Sequence, residues 1–166
     1  MDDKDRQLVG ALRANGRLTY AELGRLVGLS GPSATDRVQR LEQAGIITGY
    51  HAAVSPEAIG RGVSALIGVY LTDSADQDRV CAAMEVLPEA EDCWFVAGEE
   101  SFIVKVRTAD VPALEGCISR LRRLDGVART RTTVVLSTKW EGKVAPLQPD
   151  EQMVDGSGDQ QAEAGQ

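Results

Sequence analysis

The chain is 166 residues long with a formal net charge of −7, and 43% of its residues are hydrophobic. That length supports two compact units with modest cores, while no apolar run approaches the roughly 18 residues that a membrane span needs. The first residues include Asp2, Asp3, Lys4, Asp5 and Arg6, where a secretory signal would require an apolar stretch, so no signal peptide is expected.

The first predicted element is a helix from about Asp3 to Ala14, with Leu8, Val9 and Leu12 inward and Asn15-Gly16 ending it. Thr19 followed three residues later by Glu22 forms a capping box, which starts a second helix at Tyr20. Its apolar positions are Leu23, Leu26 and Val27, and Gly28 supplies the stop. Ser30 caps a third helix that runs to Ala44, with Gly31-Pro32 in a first turn where a missing proline N–H is harmless. Two helices joined by a short glycine-containing turn make a helix-turn-helix.

The third helix divides into faces. Ala34, Val38 and Leu41 fall on one inward arc; Ser33, Asp36, Arg37 and Arg40 lie on a neighbouring arc, with Thr35 and Gln39 on the other flank. Arginine makes bidentate contacts to guanine, glutamine pairs with adenine, and hydroxyls reach phosphates. On this helix alone an ordinary helical hairpin with a solvated charged face remains equally open, since Asp36 and Glu42 dilute the positive charge. Ile46-Ile47 through Val54 reads as an extended segment, a short strand leaving the helices, and Pro56, Gly60 and Gly62 mark a connector.

The second half reads β-α-β-β-α-β. Val63 to Leu71 is a buried strand, and Gln77 to Leu87 a helix with Val80, Ala83, Met84 and Leu87 on one face. Asp92 to Ala97 and Ser101 to Arg107 are strands flanking the Gly98-Glu99-Glu100 turn. Asp110 caps a helix with Leu114, Cys117, Ile118, Leu121 and Leu124 inward, and Val127 to Thr138 is the last strand. This order is the ferredoxin-like split βαβ unit.

Chemistry other than binding has little support. The single histidine, His51, lies between the two halves with no nucleophile motif around it, so it reads as a linker residue. Cys81, Cys93 and Cys117 are odd in number and widely spaced, which fits reduced core residues of a cytosolic protein better than a disulfide framework or a metal site. Trp94 and Trp140 read as strand or interface anchors. Charge is uneven: residues 1–50 sum to +1, residues 51–143 to −3 and residues 144–166 to −5. The segment with the helix-turn-helix is therefore the only one that is not acidic. Its affinity for phosphates as a single copy is expected to be weak and salt-sensitive, so several copies must act on one DNA.

Val27-Gly28-Leu29-Ser30, then Arg37-Val38, Arg40-Leu41-Glu42, Gly45-Ile46-Ile47 and Gly49-Tyr50, closely resembles the Lrp/AsnC ("feast/famine") transcriptional regulators. The opening Asp2-Asp3-Lys4-Asp5-Arg6-Gln7-Leu8-Val9 is similar to that family's first helix, and the resemblance runs from about residue 1 to residue 140. It implies double-stranded DNA as a partner, with the helix from Ser30 to Ala44 in a major groove and half-sites about one helical turn, or multiples of it, apart. Arg37 and Arg40 are the expected direct contacts, with Ser33, Thr35 and Gln39 secondary.

The resemblance also implies that the second domain assembles homodimers and higher oligomers such as an octamer and binds a small effector, usually an amino acid. The family's ligand region corresponds to the turn Gly98-Glu99-Glu100-Ser101 and the strand Gly126-Val127-Ala128-Arg129-Thr130-Arg131-Thr132. Glu99 or Glu100 offers an acceptor for an ammonium; Gly98, Thr130 and Thr132 offer donors to a carboxylate. The chain departs from the pattern at Ser101, where many relatives carry a second aspartate, and at Glu100, where the residue is often aromatic. An ordinary hairpin turn is the competing reading of these residues.

The expected organisation is α+β. It comprises a winged helix-turn-helix domain over 1–50, a linker strand and connector over 51–62, a ferredoxin-like βαββαβ domain over 63–140, and an acidic tail over 141–166, disordered beyond about Pro149. The expected function is a cytoplasmic, sequence-specific transcriptional regulator modulated by an amino acid, with no enzyme activity, cofactor, metal or membrane partner. The rival reading is an amino-acid-sensing oligomer without effective DNA binding.

Overall fold

A computed structural model describes residues 1–143, so the expected tail from residue 144 onward lies outside the described residues. Two compact units stand out, one within Met1–Ala52 and one over Ala53–Glu141.

The first unit is built from α1 (Asp3–Ala14), α2 (Tyr20–Val27) and α3 (Gly31–Gln43). Each helix begins at a side-chain cap. Asp2 and Asp5 form a capping box on α1, Thr19 and Glu22 form one on α2, and the Ser30 hydroxyl accepts from the Ser33 N–H on α3. The Thr19 backbone N–H, followed by its hydroxyl, holds the Glu22 carboxyl below the usual carboxylate range. At the end of α2, Gly28 takes a left-handed φ of 68°, and the Leu29 N–H donates to the Gly24 carbonyl at 2.7 Å. That turn delivers α3 against α1 and α2, burying Leu8, Leu12, Leu23, Val27, Ala34 and Val38 in one cluster.

Leu26, expected inward, is 64% exposed. On α2, Leu26 and Gly24 lie on opposite flanks of the Leu23–Val27 line. The chain closes onto the Gly24 flank, where no Cβ keeps the turn away. The short strand expected after α3 is also absent among the described residues, whose first strand begins at Val63. The Ile46 and Ile47 N–H groups donate back to the Leu41 carbonyl at 2.9 and 3.2 Å, and the extended stretch beyond has no neighbouring strand to pair with. Tyr50 closes this end instead, its hydroxyl donating to Glu42 at 2.8 Å. Burial, then the Glu42 carboxylate, pushes the Tyr50 phenol up to about 12.

The second unit contains β1 (Val63–Leu71), α4 (Gln77–Glu85), β2 (Ala90–Phe95), β3 (Phe102–Thr108), α5 (Val111–Arg122) and β4 (Val127–Val135). Its four strands are antiparallel in the order β2-β3-β1-β4. One sheet face, with Ala65, Ile67, Val69, Phe102, Val104 and Val106, packs on Val80, Met84, Leu114, Cys117 and Leu121 of the two helices. β4 stops at Val135, short of the expected Thr138, because Val135 already pairs with Ser64 at the start of β1. Of the three expected core cysteines only Cys117 is buried; Cys81 is half-buried and Cys93 is exposed, because β2 is an edge strand. No helix among the described residues is long and apolar enough to cross a membrane.

The close approach at Gly24 makes a prediction of reversed sign. In an open helix, replacing glycine by alanine gains about 1 kcal/mol. Here the new Cβ would lie 2.7 Å from the Leu29 carbonyl oxygen and 3.1 Å from the Ser30 backbone. Gly24→Ala is therefore expected to lower stability by about 1–3 kcal/mol, read as a fall in the urea midpoint at unchanged slope.

Candidate functional site

In the first unit the functional question is what α3 leaves exposed once Ala34, Val38 and Leu41 are buried. Pro32, Ser33, Asp36, Gln39, Arg40 and Gln43 remain exposed, one continuous polar arc along the helix. Gln39 and Arg40 project freely apart from a long Arg40 contact to the Asp36 carbonyl at 3.4 Å. Ser33 accepts from the Ser30 hydroxyl at 2.9 Å.

Thr35 and Arg37 are held inward of that arc. The Thr35 hydroxyl donates to the Gly31 carbonyl at 3.0 Å, a bond within the helix itself. Arg37, expected to touch DNA directly, is half-buried, and its Nη1 donates to Asp2 at 2.6 Å and Asp5 at 2.8 Å. The Asp5 backbone N–H, and then the Arg37 guanidinium, hold the Asp2 carboxyl below its usual range, while Asp2 and Asp5 raise Arg37 in turn. The pattern of α3 placed Arg37 next to Arg40; only the folded chain brings the α1 carboxylates to it, 35 and 32 residues away in sequence.

In the second unit the expected effector residues do not converge. Thr130 pairs with Val69 and Thr132 with Ile67, so both side chains lie on the helix-covered face of the sheet, and Thr130 accepts from Arg122 of α5 at 3.0 Å. Glu100 lies over the opposite face. Its side chain rests on Gly68 of β1, its Oε1 accepts from the Tyr70 hydroxyl at 3.0 Å, and Arg131 stands 3.6 Å away. Gly98 and Glu99 are exposed at the turn, whereas Ser101 is tied into the strands through its N–H to the Val69 carbonyl at 2.9 Å.

Sequence reasoning missed the Glu100 cluster of Gly68, Tyr70, Arg129 and Arg131. Arg129 stacks over the Tyr70 ring at 3.5 Å, a cation–π contact. A Cβ on residue 68 would come within 2.7 Å of the Glu100 Cγ, so only glycine lets Glu100 lie down on the sheet. That glycine within an apolar strand run was the available signal, since it marks a close approach. A second missed group lies on the same open face: Lys105 bonds Glu91 at 3.0 Å, Arg107 bonds Glu91 at 2.7 Å, and both also reach Glu141.

The class of protein follows from these two units: a helix-turn-helix presenting a polar arc, joined in one chain to a βαββαβ sheet domain. Residues 1–42 match the AsnC-type helix-turn-helix domain, and residues 64–144 match the Lrp/AsnC ligand binding domain. The chain belongs to the Lrp/AsnC family of transcriptional regulators. It is 43% identical over 138 residues to the transcriptional regulator LrpA of Mycobacterium tuberculosis, covering 83% of this chain and 91% of that protein. Among solved structures, a feast or famine regulatory protein from M. tuberculosis complexed with L-methionine superposes with a TM-score of 0.83 at 40% identity, covering 88% of this chain and 99% of that one. A Neisseria meningitidis regulator in complex with L-methionine gives 0.81 at 29% identity, covering 89% and 96%.

The Glu100 carboxyl is held below its ordinary value of 4.5 by its own backbone N–H, then by the Tyr70 hydroxyl, Arg131 and Arg129. Because the folded value is the depressed one, the contribution of these contacts is present above 4.5 and is lost as pH falls through the lower folded value. Side-chain carboxyl NMR is expected to place the Glu100 midpoint below 4.5, and Tyr70→Phe to move it upward. A midpoint unmoved by that substitution would contradict the assignment.

Proposed function

We propose that this chain is a sequence-specific DNA-binding regulator that inserts α3 into the major groove, acts as a homo-oligomer and is modulated by a free amino acid. The observation that carries the DNA half is the arc of Ser33, Asp36, Gln39, Arg40 and Gln43, left exposed by a helix whose opposite side is locked into the three-helix cluster. Arg40 offers a guanidinium to guanine or phosphate, Gln39 an amide to adenine, and Ser33 a hydroxyl to phosphate. Thr35 and Arg37 support this helix from inside.

For the effector half, the turn residues Gly98, Glu99, Glu100 and Ser101 and the strand residues Thr130 and Thr132 are the proposed contacts. Relatives of the same fold hold L-methionine, which supports an amino acid as the ligand class. Thr130 and Thr132 lie on the face opposite Glu100, so a small molecule lying on one face of a single copy reaches either Glu100 or the two threonines, and a second copy would supply the other. The open sheet face carries Leu66 and Trp94, 38% and 47% exposed, apolar area that a second copy would cover. Effector binding regulates DNA binding if it favours one assembly over another, because each assembly spaces the α3 helices differently.

The test is fluorescence anisotropy on DNA selected by the purified chain from a random pool, titrated in salt with and without single amino acids. Binding that prefers the selected sequence, weakens with salt and responds to one amino acid is expected. Arg40→Gln is expected to lower the slope of log affinity against log salt by about one. Amino-acid binding without any DNA preference would favour the sensor that does not bind DNA.

A further inference from the structure

Residues 2 to 5 hold both helices of the helix-turn-helix without belonging to either. Asp2 and Asp5 divide their carboxylate oxygens between two tasks. Asp2 Oδ1 accepts from the Asp5 N–H at 2.8 Å and Oδ2 takes Arg37; Asp5 Oδ2 accepts from the Asp2 N–H at 3.0 Å and Oδ1 takes Arg37. Every carboxylate oxygen is engaged, so the cap that starts α1 is also the seat of an α3 side chain. Between them, Lys4 Nζ donates to the Val27 carbonyl at the last turn of α2. The Asp-Asp-Lys-Asp opening thus ties the start of α1 to the end of α2 and the middle of α3.

Arg37 stands four residues after Ser33 and three before Arg40. Side chains at those spacings share a helix face, so the direction in which Arg37 is pulled fixes the rotation at which its neighbours emerge. Both bonds leave the one nitrogen Nη1, which is held between two carboxylates that are themselves fixed by the α1 cap, so the charge-assisted pair anchors the tip of Arg37 at a single defined place. The three groups are only partly exposed, at 24% for Arg37, 18% for Asp5 and 54% for Asp2, so solvent screens the set incompletely.

We propose that Asp2, Asp5 and Arg37 form a clamp that sets sequence discrimination by fixing the rotation of α3, Arg37 being a positioning residue that reads no base or phosphate. The proposal rests on the DNA-binding reading above and adds a consequence opposite to simple electrostatics. Removing two acids from the domain that carries +1 should tighten binding to any DNA. Removing the clamp should loosen only the recognition of the right DNA.

The experiment compares the unsubstituted chain with Asp2→Asn/Asp5→Asn, Arg37→Gln and Arg40→Gln. Each is titrated on the pool-selected DNA and on a scrambled duplex across a salt series, with far-UV circular dichroism to show that helix content is kept. Asparagine still caps a helix, so the double variant keeps α1 while losing the charge pair. The clamp predicts that Asp2→Asn/Asp5→Asn binds the scrambled duplex more tightly yet has its selected-to-scrambled ratio cut about tenfold or more, which is about 1.4 kcal/mol. Arg37→Gln should cut the ratio similarly with the salt slope unchanged, whereas Arg40→Gln should lower the slope by about one.

A double variant that tightens on both duplexes by the same factor overturns the clamp. So does an Arg37→Gln variant whose salt slope falls like that of Arg40→Gln, since Arg37 would then be a phosphate contact. If the unsubstituted chain shows no preference between the duplexes, the DNA-binding reading itself fails and the clamp falls with it; preference in that chain with an unmoved ratio in the variants sinks the clamp alone.

Discussion

None of the three helices of the first unit is long enough to stand alone. At 12, 8 and 13 residues they sit at or below the length at which an isolated helix is marginal in water, so they exist because they bury one another. Leu8, Leu23 and Val38, one from each helix and each fully buried, are the contact on which this depends. Burying the Ala34, Val38 and Leu41 side of α3 determines which residues face outward, and the polar arc is that remainder. Caps at the three helix starts and the Arg37 ion pairs add polar contacts to that packing.

The second unit obeys a comparable rule in a different geometry. A sheet covered by helices on one side must place alternate residues of each strand on opposite faces. That alternation sends Thr130 and Thr132 toward the helices and Arg129 and Arg131 toward the open face, where Glu100 and Tyr70 meet them. The open face therefore combines an ordered set of charges with exposed Leu66 and Trp94. A surface of that mixed character suits association between copies, as the proposed homo-oligomer requires.

Much of this was legible locally. The Thr19–Glu22 box, the Gly28 stop and the Ser30 cap place both ends of α2 and the start of α3 to the residue, because each signal acts over one turn of chain; α3 ends at Gln43, one residue before the expected Ala44. Val63 to Leu71 was readable as a strand for a similar reason, its apolar run being bounded by turn residues. What failed to show was non-local. Helical periodicity treats Leu26 and Gly24 as equivalent flanks of one apolar line, and only the packed turn distinguishes them. Arg37 looks like its neighbour Arg40 until Asp2 and Asp5 arrive from another helix. Register across β1 and β4, which separates the two threonines from Glu100, depends on pairing that no single strand contains.

The proposed insertion of α3 into the major groove can be read by dimethyl sulfate protection on DNA selected from a random pool. Guanine N7 lies in the major groove and adenine N3 in the minor. Insertion of α3 is expected to protect guanine N7 in clusters about 10 base pairs, or a multiple of that, apart, with adenine N3 at the same positions still reactive. Protection of adenine N3 with guanine N7 left open would contradict it.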